Sequence, residues 1–496
     1  MQMGISPAKI VIDTKDLNTK HDRNHISNHE LKKDYSMNTK HNRQNQKPSR
    51  TYMFEEMPVA RAVMTLTIPT VISSLVMVIY NLSDTYFVGL LNDPIQTAAV
   101  TLIAPVMMGF NAVNNLFGVG CSSMMSRALG AKQHSMVQKI SSFGFYGSLT
   151  AALTFSLLCL VFRTPLLNIL GADPITLAAT DRYLFWTVIC GAAPAILNVV
   201  FAYMVRAEGA SLHASIGTMS GCILNMILDP IFILPWGFNM GAAGAGLATF
   251  LSNCAACLYF LSLLFIRKGR TFVSISPRHF RLEKNLVTGV CAVGIPSAIQ
   301  NLLNVTSMTV LNNFTAGYGA DAVAAMGIAQ KINMMPMQVA VGFTQGCMPI
   351  ISYNYSGRNY KRMKEAIDFA FRALIPIMVG ITAAYFIFSG SLISLFMKND
   401  TIIQYGTWFL RGMCLMLPFL RMDFLTVSIY QSMGDGRIPF FFAILRKLVL
   451  EIPMLFILDR IVPMYGLAFA PFTAELVLSI AAVVMLQQLY KRLGLK

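Results

Sequence analysis

Residues 60–90 form a long apolar stretch with the sequence ARAVMTLTIPTVISSLVMVIYNLSDTYFVGL. Its only charged residues are Arg61, near its start, and Asp84. A helix of this length rises far enough to cross a hydrocarbon layer of about 30 Å. The stretch therefore predicts a membrane-spanning helix that carries a carboxylate inside it.

Similar apolar stretches follow one another along the rest of the chain. Of its 496 residues, 55% are hydrophobic and only 12% are charged, far fewer charges than a soluble protein carries. This composition excludes fibrous, disulfide-rich and wholly disordered classes. We expect an all-α integral membrane protein with twelve transmembrane helices, at residues 60–90, 96–126, 138–162, 181–205, 212–235, 243–266, 287–314, 321–352, 367–397, 405–429, 438–459 and 466–490.

Residues 1–52 differ from the rest of the chain. They contain ten Lys and Arg, five Asp and Glu, and few large apolar residues. Such a segment cannot bury enough surface to order itself, and it lacks the apolar core of a secretory signal. We expect a disordered basic cytoplasmic tail that can contact anionic membrane lipids.

The distribution of positive charge predicts the orientation in the membrane. The net charge is +16, but 32 of the 39 Lys and Arg fall in the tail and in alternate loops, and five fall in the other loops. This bias follows the positive-inside rule. We expect a multi-pass protein of the cell membrane with both termini cytoplasmic, and no binding of nucleic acid.

The chain also repeats itself at an offset of about 226 residues. Ile68-Pro69 is echoed by Ile295-Pro296, and Pro230 by Pro453. Six spans separate the copies, so each copy crosses the membrane in the same direction. The repeat predicts two pseudo-symmetric six-helix lobes, residues 53–283 and 284–496, with a substrate site between them, as in many transporters.

Two acids lie inside predicted spans of the first lobe. Asp84 and Asp229 are each roughly 10 Å from the outer end of their span at 1.5 Å per residue, and a carboxylate at such depth suggests function. Asn225 shares a helix face with Asp229, and Thr249 can add a hydroxyl. These four residues predict a cation-coupling site, with Na⁺ possible at Asp84, Asn225 and Asp229. The alternative is structural: Asp229 caps a helix broken at its proline, and Asp84 bonds to backbone.

Charges in the second lobe point to structure more than to coupling. Arg421 and Asp423 lie deep in the tenth span, where we expect a secondary charge pair. Glu451 and Glu475 have Arg446 and Lys447 as possible partners. Near the positions equivalent to Asp84 and Asp229, the second lobe has Leu311 and Ile452.

Several motifs resemble those of the multidrug and toxic compound extrusion (MATE) transporters. The similarity lies in Ile68-Pro-Thr with Tyr80-Asn-Leu-Ser-Asp84, in Arg206-Ala-Glu-Gly209, in Ile223-Leu-Asn225-Met-Ile-Leu-Asp229-Pro, in Gly244-Ala-Gly-Leu-Ala-Thr249 and in Pro349-Ile-Ile-Ser-Tyr-Asn354. The resemblance covers about residues 57–490. It implies an antiporter that exchanges H⁺ or Na⁺ for organic, often cationic compounds, with Asp84, Asn225 and Asp229 as its cation residues. One branch of the family carries a seventh-helix Glu where this chain has Asn304, so the resemblance is closer to the bacterial branches that couple in the N-terminal lobe.

The sequence thus predicts a secondary antiporter that exports drugs or toxic compounds in exchange for H⁺ or Na⁺. The alternative within transport is a flippase for lipid-linked saccharides, although the spans offer few unpaired cations for a pyrophosphate. No hydrolase or ATPase motif occurs, so we expect no enzyme, no catalytic residues and no cofactor. We expect a monomer whose partners are small organic molecules and membrane lipids.

Overall fold

The computed structural model describes residues Thr51–Leu495, so the predicted tail lies almost entirely outside the described residues. No β-strand occurs in this part of the chain. Twelve long helical segments follow one another. They are α1 (Val59–Gly89), α2 (Pro94–Gly130), α3 (His134–Val161), α4 (Leu177–Cys190 and Ala192–Ala207), α5 (Ser211–Ile233), α6 (Ala242–Ile266), α7 (Lys284–Ala316), α8 (Ala320–Ser356), α9 (Tyr360–Ser394), α10 (Asp400–Cys414 and Leu417–Met433), α11 (Arg437–Ile444, Leu445–Glu451 and Ile452–Ile461) and α12 (Tyr465–Arg492).

Each predicted span coincides with one of these segments, so the expected all-α membrane fold is confirmed. Eight segments are long and apolar enough to cross a membrane, and ten are if the bent pairs in α4 and α10 each count as one span. The other two, α8 and α11, carry charges within them, among them Lys331 in α8 and Arg446 in α11. Such charges lower the mean hydropathy of a helix but leave its length unchanged.

Local irregularities within the helices were not predicted. The two parts of α4 meet at 46° around Gly191, and the two parts of α10 meet at 43°. Turns of π-helix occupy Asn115–Val119, Phe185–Cys190 and Leu445–Glu451. Bulges of this kind are often found at functional sites, but apolar periodicity does not report them.

The two sequence halves, residues 53–283 and 284–495, meet along α1 and α8. A Cβ atom on Gly342 would lie 2.8 Å from the Cα of Val71, and one on Gly346 would lie 2.6 Å from the Cα of Thr67. These glycines allow the backbones of the two helices to touch. The contacts lie toward the end of the molecule where α1 begins and α8 ends, which we call the basic end because the predicted inner loops are there. Residues from Met53 onward form one compact unit, and the division into lobes at residue 284 stays a prediction.

Further contacts between the halves close the basic end. Each half contributes two residues to a small buried cluster, which consists of Val119, Tyr203, Val293 and Met348. Beside it, Gln345 of α8 accepts a hydrogen bond from Arg206 (3.0 Å) and donates one to the Tyr203 hydroxyl (2.9 Å). This layer joins α4 of the first half to α8 of the second.

A short N-terminal segment, residues 53–57, covers the same end. Phe54 is 2% exposed, its ring stacks on Tyr353 at 4.7 Å, and Gly209 lies so close that a Cβ there would be 2.9 Å from the ring. Arg362 donates hydrogen bonds to three backbone carbonyls of the segment, at 2.5, 2.6 and 3.2 Å. Residues 53–57 therefore contact both halves.

Candidate cation site

A row of residues on α5 positions the first two site residues. One face of the helix carries Gly217, Gly221, Asn225 and Asp229, which follow one another at intervals of four residues. At Gly217 a Cβ would lie 2.3 Å from the Phe260 ring, and at Gly221 it would lie 3.1 Å from Ala256 Cβ. The glycines thus let α6 approach closely. The two polar residues that continue the row are buried against it, Asn225 at 2% and Asp229 at 0% exposure.

The close approach places Thr249 of α6 next to Asn225. In the amide orientation that satisfies both neighbours, the nitrogen of Asn225 donates to Asp229 Oδ2 at 2.9 Å. The amide oxygen accepts from the backbone N–H of Thr249 at 3.1 Å and from its hydroxyl at 3.3 Å. The structure therefore brings together three of the four predicted residues, and Asn225 connects the other two.

Asp84 reaches the same region from α1, which packs along α5. Its Oδ1 atom is buried and has no hydrogen-bond partner among the described residues, and its carboxylate lies near that of Asp229. No Lys or Arg of the described chain forms a salt bridge with either carboxylate. The membrane acids of the first half therefore have each other as electrostatic neighbours and no basic partner.

Two tyrosines belong to this group and were not predicted as site residues. Tyr80 lies one turn before Asp84 on α1, near both carboxylates, and has its hydroxyl close to Thr249. Tyr183 of α4 is 3% exposed and lies near Tyr80, Asp84 and Asp229. The spacing of four residues between Tyr80 and Asp84 could have indicated the first. Nothing in the sequence around Tyr183 indicates the second, because α4 meets α1 and α5 only through tertiary packing.

The arrangement offers oxygen donors to a small cation. Two carboxylates, a carboxamide oxygen and hydroxyl groups are hard ligands that suit Na⁺ or a proton. Between Thr51 and Leu495 no group of three or more His, Cys, Asp and Glu occurs that could hold a metal ion. Two nearby carboxylates in a low-dielectric setting do not both stay ionised without a counter-cation, so this pair favours binding of a cation.

The second half holds a different set of buried charges. Arg446 of α11 lies between two acids, with its Nη1 atom 3.2 Å from Asp423 Oδ2 and its Nη2 atom in contact with Glu475. One residue on, Lys447 pairs with Glu451 at 2.6 Å, and Ser307 donates to the same carboxylate at 2.5 Å. The predicted partnership of Glu451 and Glu475 with Lys447 and Arg446 is confirmed. Three carboxylates thus share two basic side chains.

The predicted pair of Arg421 and Asp423 is wrong. Asp423 pairs with Arg446, whereas Arg421 donates from Nε to the carbonyl of Pro418 at 2.6 Å. The physical reason is helix geometry: residues two apart point in nearly opposite directions and do not face each other. The Nη1 atom of Arg421 is buried and has no hydrogen-bond partner in the part of the chain that the structure describes.

Comparison with known families gives a match in each half of the chain. A model of the MatE family matches residues 69–231 and also residues 296–457. These two ranges correspond to the two copies of the internal repeat. Together they include Asp84, Asn225 and Asp229 in the first copy and the Asp423–Arg446 pair in the second.

Curated relatives and solved structures extend the match over most of the chain. The multidrug export protein MepA of Staphylococcus aureus strain MRSA252 is 34% identical over 448 residues, which cover 90% of this chain and 98% of that protein. The protein of the same name from Staphylococcus saprophyticus is 31% identical over the same length. A solved multidrug resistance MATE family transporter of the MOP superfamily, in an outward-facing conformation, superposes with a TM-score of 0.85 at 26% identity and covers 90% of this chain and 100% of its own.

Proposed function

From the premise that the chain belongs to the MatE family, we propose that it is a secondary antiporter. It exports organic, often cationic, compounds across the cell membrane in exchange for H⁺ or Na⁺. Its relatives are membrane transporters and not enzymes. The proposed cycle needs no cofactor and no second subunit, since the site is built within one chain.

The coupling cation binds at Asp84, Asn225, Asp229 and Thr249. One observation carries this assignment: Asp229 is fully buried, Asp84 has a buried carboxylate oxygen without a hydrogen-bond partner, and no Lys or Arg between Thr51 and Leu495 forms a salt bridge with either residue. Burying an uncompensated carboxylate costs several kcal/mol, and a bound proton or Na⁺ removes that cost. Tyr80 and Tyr183 enclose the site and limit its access to water.

The basic end faces the cytoplasm, and both termini lie there. The halves meet through the α1–α8 glycine contacts and the Arg206–Gln345 layer near this end, which supports an outward-facing state with the basic end closed. Release of these contacts would open the space between the two halves to the cytoplasm. Drug then enters as the carboxylates lose their cation, and they reload after the crevice opens outward again.

Reconstituted protein can test this proposal. We expect proteoliposomes that contain the purified 496-residue chain to transport ethidium when one of two gradients is imposed. The first is a pH gradient and the second is a Na⁺ gradient, and only one of them should drive transport. The gradient that drives transport identifies the coupling ion. Transport that needs neither gradient would overturn antiport, and movement of a lipid-linked saccharide without any dye movement would favour the flippase alternative.

A further inference from the structure

Lys331 is a charged side chain that the proposed cycle has not used. It lies within α8, about 16 Å along the helix from Ala320, at 1.5 Å per residue. Its side chain is exposed, and it forms no salt bridge with any residue between Thr51 and Leu495. A lysine facing lipid at this depth is costly, so its exposed position points to a water-filled space.

The direction of Lys331 follows from helix periodicity. Gly342 lies eleven residues further along α8, which is close to three full turns, so both residues point to the same side. Gly342 packs directly on Val71 and Ser74 of α1. The helix is continuous from Ala320 to Ser356, and Pro336, which lies between Lys331 and Gly342, can bend it without interrupting its turns. Lys331 therefore faces the first half, three turns beyond the place where the two halves touch.

The turn of α1 that lies at the same depth as Lys331 can be found in the same way. The two helices run in opposite directions, because α1 begins and α8 ends at the basic end. Three turns along α1 from Val71 reach the turn that contains Asp84. Lys331 thus lies at the depth of the candidate cation site but on the opposite half.

Burial along α1 shows that the two helices separate at this level. One face of α1 carries Ser74, Val78, Asn81 and Thr85. Ser74 is 8% exposed and Val78 is 1% exposed, whereas Asn81 and Thr85, further from the basic end, are both exposed. On α8, likewise, Gly342 is buried and Lys331 is exposed. A crevice therefore opens between the halves beyond Val78, with Lys331 on one wall and the Asp84 turn on the other.

The two walls of this crevice carry different charges. The first half contributes Asp84 and Asp229, which have no basic partner, as described above. In the second half Asp423 and Glu475 are occupied by Arg446, and Asp321, the acid on α8 itself, lies near the start of the helix. The Lys331 ammonium group therefore faces the crevice without a carboxylate of the described chain to neutralise it.

From this juxtaposition we propose that Lys331 is a specificity-determining residue that binds the anionic group of amphoteric substrates. Such a molecule carries its cationic group toward the Asp84 wall and its carboxylate toward Lys331. The inference rests on the proposed export function and adds a substrate class to it. A compound with only a positive charge uses the acidic wall alone and is repelled by the ammonium group.

Two rhodamine dyes that differ at one group make the test direct. Rhodamine 110 carries a free carboxylate beside its cationic ring system, and rhodamine 123 is its methyl ester and has no carboxylate. We expect purified wild-type protein to bind rhodamine 110 more tightly, measured by fluorescence anisotropy without any ion gradient. Lys331→Gln should weaken binding of rhodamine 110 about tenfold, as expected for loss of a charge-assisted contact. Binding of rhodamine 123 should stay unchanged or become tighter.

Two further variants separate recognition from structure. Lys331→Arg keeps the positive charge and should retain most of the preference for rhodamine 110. Met334→Gln changes an exposed neighbour on α8 without altering charge and should leave both affinities unchanged. Equal weakening of both dyes in Lys331→Gln, or no preference for rhodamine 110 in the wild type, would overturn the proposal. Because binding is measured without a gradient, failure of ion coupling in proteoliposomes is a separate result.

Discussion

Buried carboxylates occur in both halves of the molecule, but their surroundings differ. Asp84 and Asp229 in the first half have hydroxyl and amide neighbours, and no Lys or Arg of the described residues forms a salt bridge with them. Asp423 and Glu475 in the second half share Arg446, while Glu451 pairs with Lys447. A carboxylate that already has a basic partner needs an external cation less than a pair of carboxylates that has none. Depth in the membrane alone therefore does not identify a coupling residue, because the partner of the residue matters as much.

The largest expected effect is loss of an acid in the first half. Asp229→Asn and Asp84→Asn should each abolish gradient-driven dye export while the protein still inserts, because the remaining carboxylate can no longer share a cation with its neighbour. Efflux at matched membrane abundance measures this effect. Asp321→Asn, which removes an exposed acid at the start of α8, is the control and should export normally. Undiminished coupled export by Asp84→Asn would remove that residue from the site.

Removing the basic partner in the second half should act on stability instead. Arg446→Met leaves Asp423 and Glu475 as uncompensated buried acids. Breaking a buried pair in this way costs about 3–5 kcal/mol, so we expect a lower melting temperature and poorer expression. Combining Arg446→Met with Asp423→Leu and Glu475→Leu should recover part of the loss. Wild-type stability of Arg446→Met would show that the network does not compensate charge as described.

A smaller change is expected from the hydroxyl that completes the first-half site. Thr249→Val keeps the shape of the side chain but removes the group that contacts Asn225. A single hydrogen bond is worth about 1 kcal/mol, or about fivefold in affinity. We therefore expect the concentration of the coupling ion that gives half-maximal transport to rise about fivefold, with little change in maximal rate. A matched Ser252→Ala change, on the next turn of α6, should leave this concentration unaltered.

The smallest effect is expected from the N-terminal tail. Deletion of residues 1–50 should leave transport kinetics unchanged, because the segment holds few large apolar residues with which to dock. A deletion that extends through Met57 should impair the protein, since it removes Phe54 and the carbonyls that Arg362 binds. Reduced turnover of the shorter deletion at equal abundance would show that the tail has a role in transport.

Much of the fold and part of the candidate site could be predicted from the sequence. Apolar length predicted the helices, and the spacing of four residues placed Asn225 beside Asp229 on one face of α5. The partner of Asp423 was missed because Arg446 lies on another helix, and no local pattern reports contacts between helices. Tyr183 was missed for the same reason. Lys331 was visible as a charge inside a span, but its direction became clear only when Gly342 was found packed on α1.

The pH and Na⁺ dependence of transport in two variants shows which half of the molecule couples export to the cation. Asp229→Asn and Asp423→Asn each remove one buried carboxylate, the first from an uncompensated pair and the second from a network with two basic residues. Dye transport is measured in proteoliposomes over a range of pH and Na⁺ concentrations for both variants and the wild type. We predict that Asp229→Asn eliminates the dependence on the coupling ion and that Asp423→Asn keeps it, with losses confined to folding or expression. A well-folded Asp423→Asn protein whose transport no longer responds to the coupling ion would contradict the account and place coupling in the second half.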